Sequence, residues 1–69
     1  MLNVPLKIAL VRTGKRQFEL ADALGLSELR LSQILHGRAI PTEVERARMA
    51  EVLGVSERVL FGVVRAAAR

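Results

Sequence analysis

Two short apolar-periodic segments within residues 17–35, joined at Gly25, constrain the fold of this chain more than any other feature of its sequence. In the first segment Leu20 and Leu24 lie one helical turn apart, and Ala21 stands where a larger side chain would push a crossing helix away. Gly25 follows the last apolar position, and glycine adopts a positive φ without a Cβ clash. The spacing therefore predicts a helix that ends at Gly25, where the chain turns sharply.

The second segment begins with Leu26, which is expected to fill the corner, and Ser27, a residue type that commonly caps helix N-termini. Leu31, Ile34 and Leu35 then recur at helical spacing and form an apolar face that can pack on the first helix. A small residue, a turn residue and three apolar positions in this register predict a helix-turn-helix. The alternative is a helical corner that binds no ligand.

The chain is short, and its apolar residues are aliphatic. Its 69 residues make at most one domain; 51% of them are hydrophobic but only 3% aromatic, which predicts a core of Leu, Val, Ile and Ala on helices. There is no cysteine to form a disulfide or a thiolate nucleophile, and the single His36 cannot build a zinc site alone. We therefore expect no metal and no cofactor.

The sequence predicts a cytoplasmic protein without a membrane segment. No apolar run approaches the roughly 20 residues needed to span a bilayer. The first five residues also lack the charged region and following apolar region of a secretion signal.

The charge distribution favours a polyanionic partner. The formal net charge is +4, from 11 basic residues, nine of them arginine, and 7 acidic residues. Lys7, Arg12, Lys15 and Arg16 all precede the first acid, Glu19. Arginine suits phosphates and base edges better than lysine does, although a solvated surface with a mild basic excess is the alternative. An enzyme has little support, because there is no Gly-rich phosphate loop, nucleophile–base arrangement or paired carboxylates.

Helix start and stop signals predict an all-α protein, a compact five-helix bundle. It forms a single domain over residues 1–69, with its core in residues 5–62. The tail, residues 63–69, is available for dimerisation. The predicted helices cover residues 5–13, 17–24 and 28–36, then run from the cap Thr42 to Leu53 and from the cap Ser56 onward, with Gly62 as a possible break. The apolar positions of the first helix are Leu6, Ile8, Leu10 and Val11; those of the fourth are Val44, Ala47, Met49, Ala50, Val52 and Leu53.

The order and spacing of these features resemble the Cro and lambda-repressor-like family, also called the XRE type. The resemblance rests on residues 16–27, 31–34, 37–38, 41–42 and 50–56 with Leu60-Phe61, and covers about residues 6 to 62. It implies a helix-turn-helix at helices two and three of a five-helix bundle. It also implies binding to operator DNA, usually as a two-fold dimer, with the third helix in the major groove.

The resemblance implies several DNA contacts. Gln17 matches a family glutamine that contacts a backbone phosphate at the N-terminus of helix two, where the helix dipole favours an anion. Ser27 and Glu28 stand at family positions for base or phosphate contacts. The segment His36-Gly37-Arg38 matches a family turn of the Asn-Gly-Lys type that anchors the DNA backbone.

The helical period predicts which side chains of helix three face DNA. At 100° per residue, Leu29, Gln33 and His36 point away from the core, flanked by Arg30 and Ser32. Gln33 suits adenine, and Arg30 suits guanine or phosphate. Leu29 is either a thymine-methyl contact or a protein-binding or incidental exposed leucine, and His36 has a structural role or contacts phosphate. The predicted DNA contacts are Arg16, Gln17, Ser27, Glu28, Leu29, Arg30, Ser32, Gln33, His36 and Arg38.

Several of these residues depart from the family pattern: Leu29 and Glu28 are unusual on a reading surface, and His36 stands where asparagine is common. Arg16 occupies the N-cap position of helix two, where Ser or Thr is usual, and its side chain can accept no hydrogen bond. We expect a weaker cap there, with Arg16 as a candidate phosphate contact. Glu28 would repel phosphate unless it accepts from a cytosine amino group.

A single half-site offers only about four base contacts, so useful specificity predicts a homodimer on paired half-sites. Val59, Val63, Val64 and Ala67 share a face of the last helix if it runs past Gly62, which predicts dimerisation there. The alternative is that Val59 and Leu60 complete the monomer core.

The predicted function is sequence-specific binding of double-stranded DNA by a transcriptional regulator, in the first place a repressor, of a phage or bacterial operon. The alternative is an antitoxin or protein-interaction adaptor that uses the same fold, with Leu29 and the C-terminal valines against a toxin or other protein. That alternative predicts weak, salt-insensitive DNA affinity.

Overall fold

The computed structural model describes residues 1–62, and the helices within them follow one another without strands. The helices are α1 (Val4–Arg12), α2 (Gln17–Leu24), α3 (Glu28–Leu35), α4 (Glu43–Leu53) and α5 (Glu57–Phe61). α1 packs on α5, α5 on α4, and α4 on α2, which also packs on α3. This confirms the predicted all-helical bundle with a helix-turn-helix at α2 and α3. Among the described residues no helix has both the length and the apolar character to cross a membrane.

The turn between α2 and α3 forms as its residue types predict. Gly25 has φ +72°, and the Leu26 amide donates to the Ala21 carbonyl over 2.8 Å. The Arg48 guanidinium donates to the Leu24 carbonyl, and a Cβ on Gly25 would lie 2.8 Å from that guanidinium. Ala21 is 2% exposed, so the small side chain lies in the core where the helices cross. The left-handed conformation therefore favours glycine at position 25, and a larger residue would also have to displace the flexible Arg48 guanidinium.

The core is aliphatic, and the helix-turn-helix supplies more than half of its buried side chains. α3 contributes Leu31, Ile34 and Leu35, and Met49 of α4 and Leu60 of α5 are also buried. The remaining buried residues are Leu6, Ala9, Leu10, Leu20, Ala21 and Leu24. The packing of the inner face of α3 in the core therefore fixes the orientation of its outer face.

Some apolar positions predicted for the first and fourth helices are exposed. Ile8 and Val11 are 47% and 63% exposed, and Val44 and Val52 are 67% and 40% exposed. At 100° per residue, Ile8 and Val11 lie roughly opposite the buried face of α1. These residues are the apolar positions predicted for their helices but lie outside the core, and on α1 this is because the helix carries apolar residues on both faces.

α1 begins one residue earlier than predicted, because Asn3 caps it. The Asn3 Oδ1 accepts from the Leu6 amide over 3.0 Å, while its Nδ2 donates to the Leu60 carbonyl over 2.8 Å. The Asn3 backbone amide also donates to the Leu35 carbonyl over 2.7 Å. Asn3 thus links the start of α1 to the ends of both α3 and α5.

Asn3→Ala is expected to destabilise the domain by about 2 kcal/mol, since it removes an N-cap and one further hydrogen bond, each typically about 1 kcal/mol. Asn3→Ser is the matched control: serine keeps the cap but cannot reach Leu60, so about half of the loss should remain. Urea unfolding followed by circular dichroism measures both. Equal stability of the two variants would show that the cap contributes nothing.

α5 ends at Phe61, because Gly62 adopts φ +76° and ψ −165° and leaves the helical conformation. The break that the sequence allowed at Gly62 is therefore observed. Val59 is 57% exposed and only its neighbour Leu60 completes the core. Val63, Val64 and Ala67 lie outside the described residues, and dimerisation through them stays a prediction.

Candidate nucleic-acid interface

The outer face of α3 lies away from the core. It is formed by Leu29, Gln33 and His36, with Arg30 and Ser32 beside it. Leu29 is 68% exposed, and the Gln33 side chain is half-buried. Within residues 1–62 the Gln33 side-chain amide makes no hydrogen bond. Both its carbonyl and its NH₂ group are therefore available to an outside partner.

The start of α3 is capped by Ser27, as predicted. The Ser27 Oγ accepts from the Arg30 amide over 3.0 Å, and the serine is exposed, so its hydroxyl proton can still be donated outward. Glu28 follows as the first residue of α3, where its carboxylate lies favourably in the helix dipole. The negative charge of Glu28 therefore stabilises the start of α3, independently of any contact with a ligand.

His36 is oriented by α3 itself. Its Nδ1 lies 2.9 Å from the Ser32 carbonyl oxygen, and a carbonyl can only accept a hydrogen bond. In the tautomer that makes this hydrogen bond, Nδ1 carries the proton and Nε2 is left as an acceptor. One ring nitrogen of His36 thus has a structural contact at the end of α3, and a phosphate contact by His36 stays a prediction.

A basic depression lies at the N-terminus of α2. Gln17, the first residue of α2, lines it together with Lys7 of α1 and Lys15 of the connecting turn. Arg16 precedes α2 and makes no side-chain cap, and the Glu19 carboxylate accepts from the Arg16 backbone amide over 2.8 Å instead. Arginine has no acceptor atom, so this one-sided arrangement is the weaker cap that the sequence predicted.

Lys7 and Lys15 were not among the predicted contacts, yet the structure places both beside Gln17. The wholly basic N-terminal quarter of the sequence was the signal that could have identified them. The Glu19 amide donates to the Arg16 carbonyl. The remaining first-turn amides of α2, those of Gln17 and Phe18, and the two ammonium groups therefore form a candidate anion-binding environment at this helix end.

The turn after α3 exposes Arg38. The amides of Arg38 and Ala39 both donate to the Gln33 carbonyl, over 2.8 and 3.2 Å. Gly37 has φ +73°, and a Cβ there would collide with the backbone of Met1. The tight turn places the Arg38 side chain in solvent at the end of α3.

Arg30 is not a free cation in this structure. Its NH2 and Nε lie 2.8 and 3.1 Å from the two carboxylate oxygens of Glu45 on α4, and NH2 also donates to the Ile40 carbonyl. Glu45 in turn accepts from the Thr42 amide over 2.8 Å, which closes the capping box of α4. Arg30 therefore links α3 to the start of α4, and the contact with guanine or phosphate that the sequence predicts stays a prediction.

A family model described as a helix-turn-helix domain matches residues 6–60, from the start of the core in α1 to its end in α5. The chain belongs to the helix-turn-helix domain family. The match confirms the resemblance to the Cro-like, XRE type and identifies a DNA-binding domain. Searches of curated proteins and of solved structures give no match to the chain.

Two further arginines of this helix-turn-helix domain are structural. Arg46 has a side chain only 15% exposed; it donates to the Pro41 carbonyl over 3.0 Å and lies 3.5 Å from the Glu57 carboxylate. Arg48 donates to the last carbonyl of α2. Each joins α4 to a neighbouring segment, although Arg48 remains exposed.

The Arg30–Glu45 pair should make the stability of the helix-turn-helix domain depend on pH. Hydrogen bonds from Arg30 lower the pKa of Glu45, partly opposed by burial and assisted by the Thr42 amide. A lowered pKa in the folded state stabilises the fold above the ordinary glutamate pKa, and this contribution is lost as pH falls through the folded value. We expect Glu45→Gln to melt at a lower temperature than the natural chain near pH 7, with the difference shrinking below about pH 4.3.

The matched control for this measurement is Glu51→Gln, which changes an exposed glutamate on the same helix. Thermal melts of the two variants and the natural chain at several pH values separate the effect of the pair from that of net charge. If the difference in melting temperature between Glu45→Gln and the natural chain stayed constant from pH 7 to below about pH 4, the Arg30–Glu45 pair would not be the cause of the pH dependence.

Proposed function

We propose that the domain binds specific sites in double-stranded DNA and represses a phage or bacterial operon by occupying promoter DNA. The observation that carries the proposal is the free amide of Gln33 on the exposed outer face of α3. An amide with both a donor and an acceptor available suits the N6 and N7 edge of adenine in the major groove. Such a protein works in the cytoplasm, where this DNA lies.

The cations around α3 support the same placement. Lys15 and Arg16 precede α2, Arg38 follows α3, and all three are exposed. In this proposal they contact phosphates, together with Gln17 and Lys7, and set the position of α3 in the groove. Arg30 positions α3 through Glu45, while Ser27, Glu28, Leu29, Ser32, Gln33 and His36 lie within reach of base edges or phosphates.

We propose a homodimer for a physical reason. α3 has eight residues and reaches only a few base pairs, so one domain binds little more tightly than non-specific DNA at physiological salt. Two domains related by a two-fold axis would place their α3 helices one turn of DNA apart. Val59, exposed on α5, belongs to the proposed contact with Val63, Val64 and Ala67.

A second candidate function is a protein-interaction module such as an antitoxin or adaptor. The exposure of Leu29, at 68%, and of Ile40, at 86%, supports it, because both apolar side chains lie on or just after α3. A protein surface could cover them as well as DNA could.

Selection from a random-sequence duplex pool at two salt concentrations, followed by sequencing of the retained DNA, tests the proposal. Enrichment of a two-fold symmetric site with half-sites about one helical turn apart, and weaker retention at high salt, are expected. Retention without enrichment, or no retention at low salt, would contradict it and favour the protein-interaction module.

A further inference from the structure

The outer stripe of α1, formed by Val4, Ile8 and Val11, is apolar and exposed, and no segment of residues 1–62 covers it. These residues recur at i, i+4 and i+7, so they share one line along the helix. They are 54%, 47% and 63% exposed. Since α1 already buries its opposite face in the core, this stripe contributes nothing that the fold of the described residues requires.

Two cations flank the stripe. At 100° per residue, Lys7 and Arg12 lie about 70° to either side of its centre. Both side chains are exposed, and no acidic residue precedes Glu19 in the sequence. The surface is therefore a row of branched apolar side chains between two positive edges.

We propose that the outer stripe of α1 binds an acidic amphipathic segment of another protein. The partner segment would form an amphipathic helix whose apolar side chains, one turn apart, pack against the stripe. Carboxylates beside those side chains would pair with Lys7 and Arg12. The apolar row itself offers phosphate oxygens no donor, and Lys7 is the one residue that this surface shares with the proposed DNA contacts.

Charge decides between the possible occupants. A second copy of α1 would bring the same cations and no acid to the contact, so the two helices would repel each other at both edges. The chain's own residues 63–69 carry Arg65 and Arg69 and also no acid. An acidic segment from a different protein is the occupant whose charge complements the surface.

The probe is a synthetic amphipathic peptide with a leucine row flanked by glutamates, and its matched control has the same leucines flanked by lysines. Amide chemical shifts of the full-length protein, followed during titration, report where each peptide binds. We expect only the acidic peptide to bind, with shifts centred on residues 4–12. Val4→Ser/Ile8→Ser and Arg12→Glu should each weaken binding about tenfold or more.

Val44→Ser is the control variant, because Val44 is equally exposed but lies on α4. It should bind the acidic peptide like the natural chain, and circular dichroism should show that all variants keep their helices. The Val4→Ser/Ile8→Ser variant alters no proposed DNA contact, so its affinity for DNA should equal that of the natural chain.

Several results would overturn the proposal. Equal binding of both peptides would show that charge does not select the occupant, and shifts centred on residues 28–38 would show general attraction of the acidic peptide to a basic protein. Self-association abolished by the serine variant would assign the stripe to a second copy. Nuclear Overhauser contacts between the stripe and residues 63–69 in the free protein would assign it to the chain itself. Binding to anionic lipid vesicles, lost in the serine variant, would assign it to a membrane surface.

Discussion

Gln33→Ala should weaken binding to the selected DNA site by about 1–3 kcal/mol, or roughly 5- to 150-fold, and relax the base preference at one position in each half-site. The Gln33 amide has no partner within the described residues and lies on the outer face of α3. Removing it leaves the backbone unchanged, because the Gln33 carbonyl still accepts from Arg38 and Ala39. Titration of labelled duplexes that differ at single positions measures the effect.

Arg38→Ala is the matched control for a phosphate contact. It should weaken binding to all duplexes by a similar factor and reduce the slope of log affinity against log salt by about 1. If Gln33→Ala instead behaved in this way, or bound every duplex as the natural chain does, α3 would not read bases through Gln33.

Leu31→Ala should unfold much of the domain at 37 °C. Leu31 has no exposed surface and lies in the centre of the core cluster. Truncating a buried leucine to alanine typically costs about 2–5 kcal/mol, which is comparable to the whole stability of a chain of this size, about 3–5 kcal/mol. Urea unfolding at 10 °C, where some folded protein remains, measures the loss.

Leu29→Ala is the control for that truncation, because it makes the same chemical change two residues earlier on the same helix. Leu29 is 68% exposed, so its removal should change stability by no more than about 0.5 kcal/mol. If the two variants lost stability equally, the orientation of α3 described here would be wrong.

The helix-turn-helix could be predicted from the sequence because its determinants are local. Ala21, Gly25 and Ser27 each act through residues within one or two helical turns, and the apolar period of α3 identifies its buried face. The start of α4 was predicted for the same reason, since Thr42 and Glu45 form a capping box within four residues.

The parts that could not be predicted depend on contacts between distant segments. Arg30 pairs with Glu45 only because the bundle places α4 beside α3, and Asn3 meets Leu60 only after the whole chain has folded. On α1 the apolar residues occupy both faces, so periodicity alone could not show that Leu6 and Ala9 are buried and Ile8 is not. Tertiary packing decided each of these cases.

The most direct test of the DNA interface is a map of amide chemical-shift changes when the full-length protein is titrated with the selected duplex. The proposed interface predicts the largest changes at Lys7, at residues 15–18, along residues 27–36 and at Arg38, and only small changes on the exposed face of α4 around Val44 and Glu51. Changes centred on α4 or α5, or no changes at low salt, would contradict the assignment of α3 and the start of α2 as the DNA-binding surface.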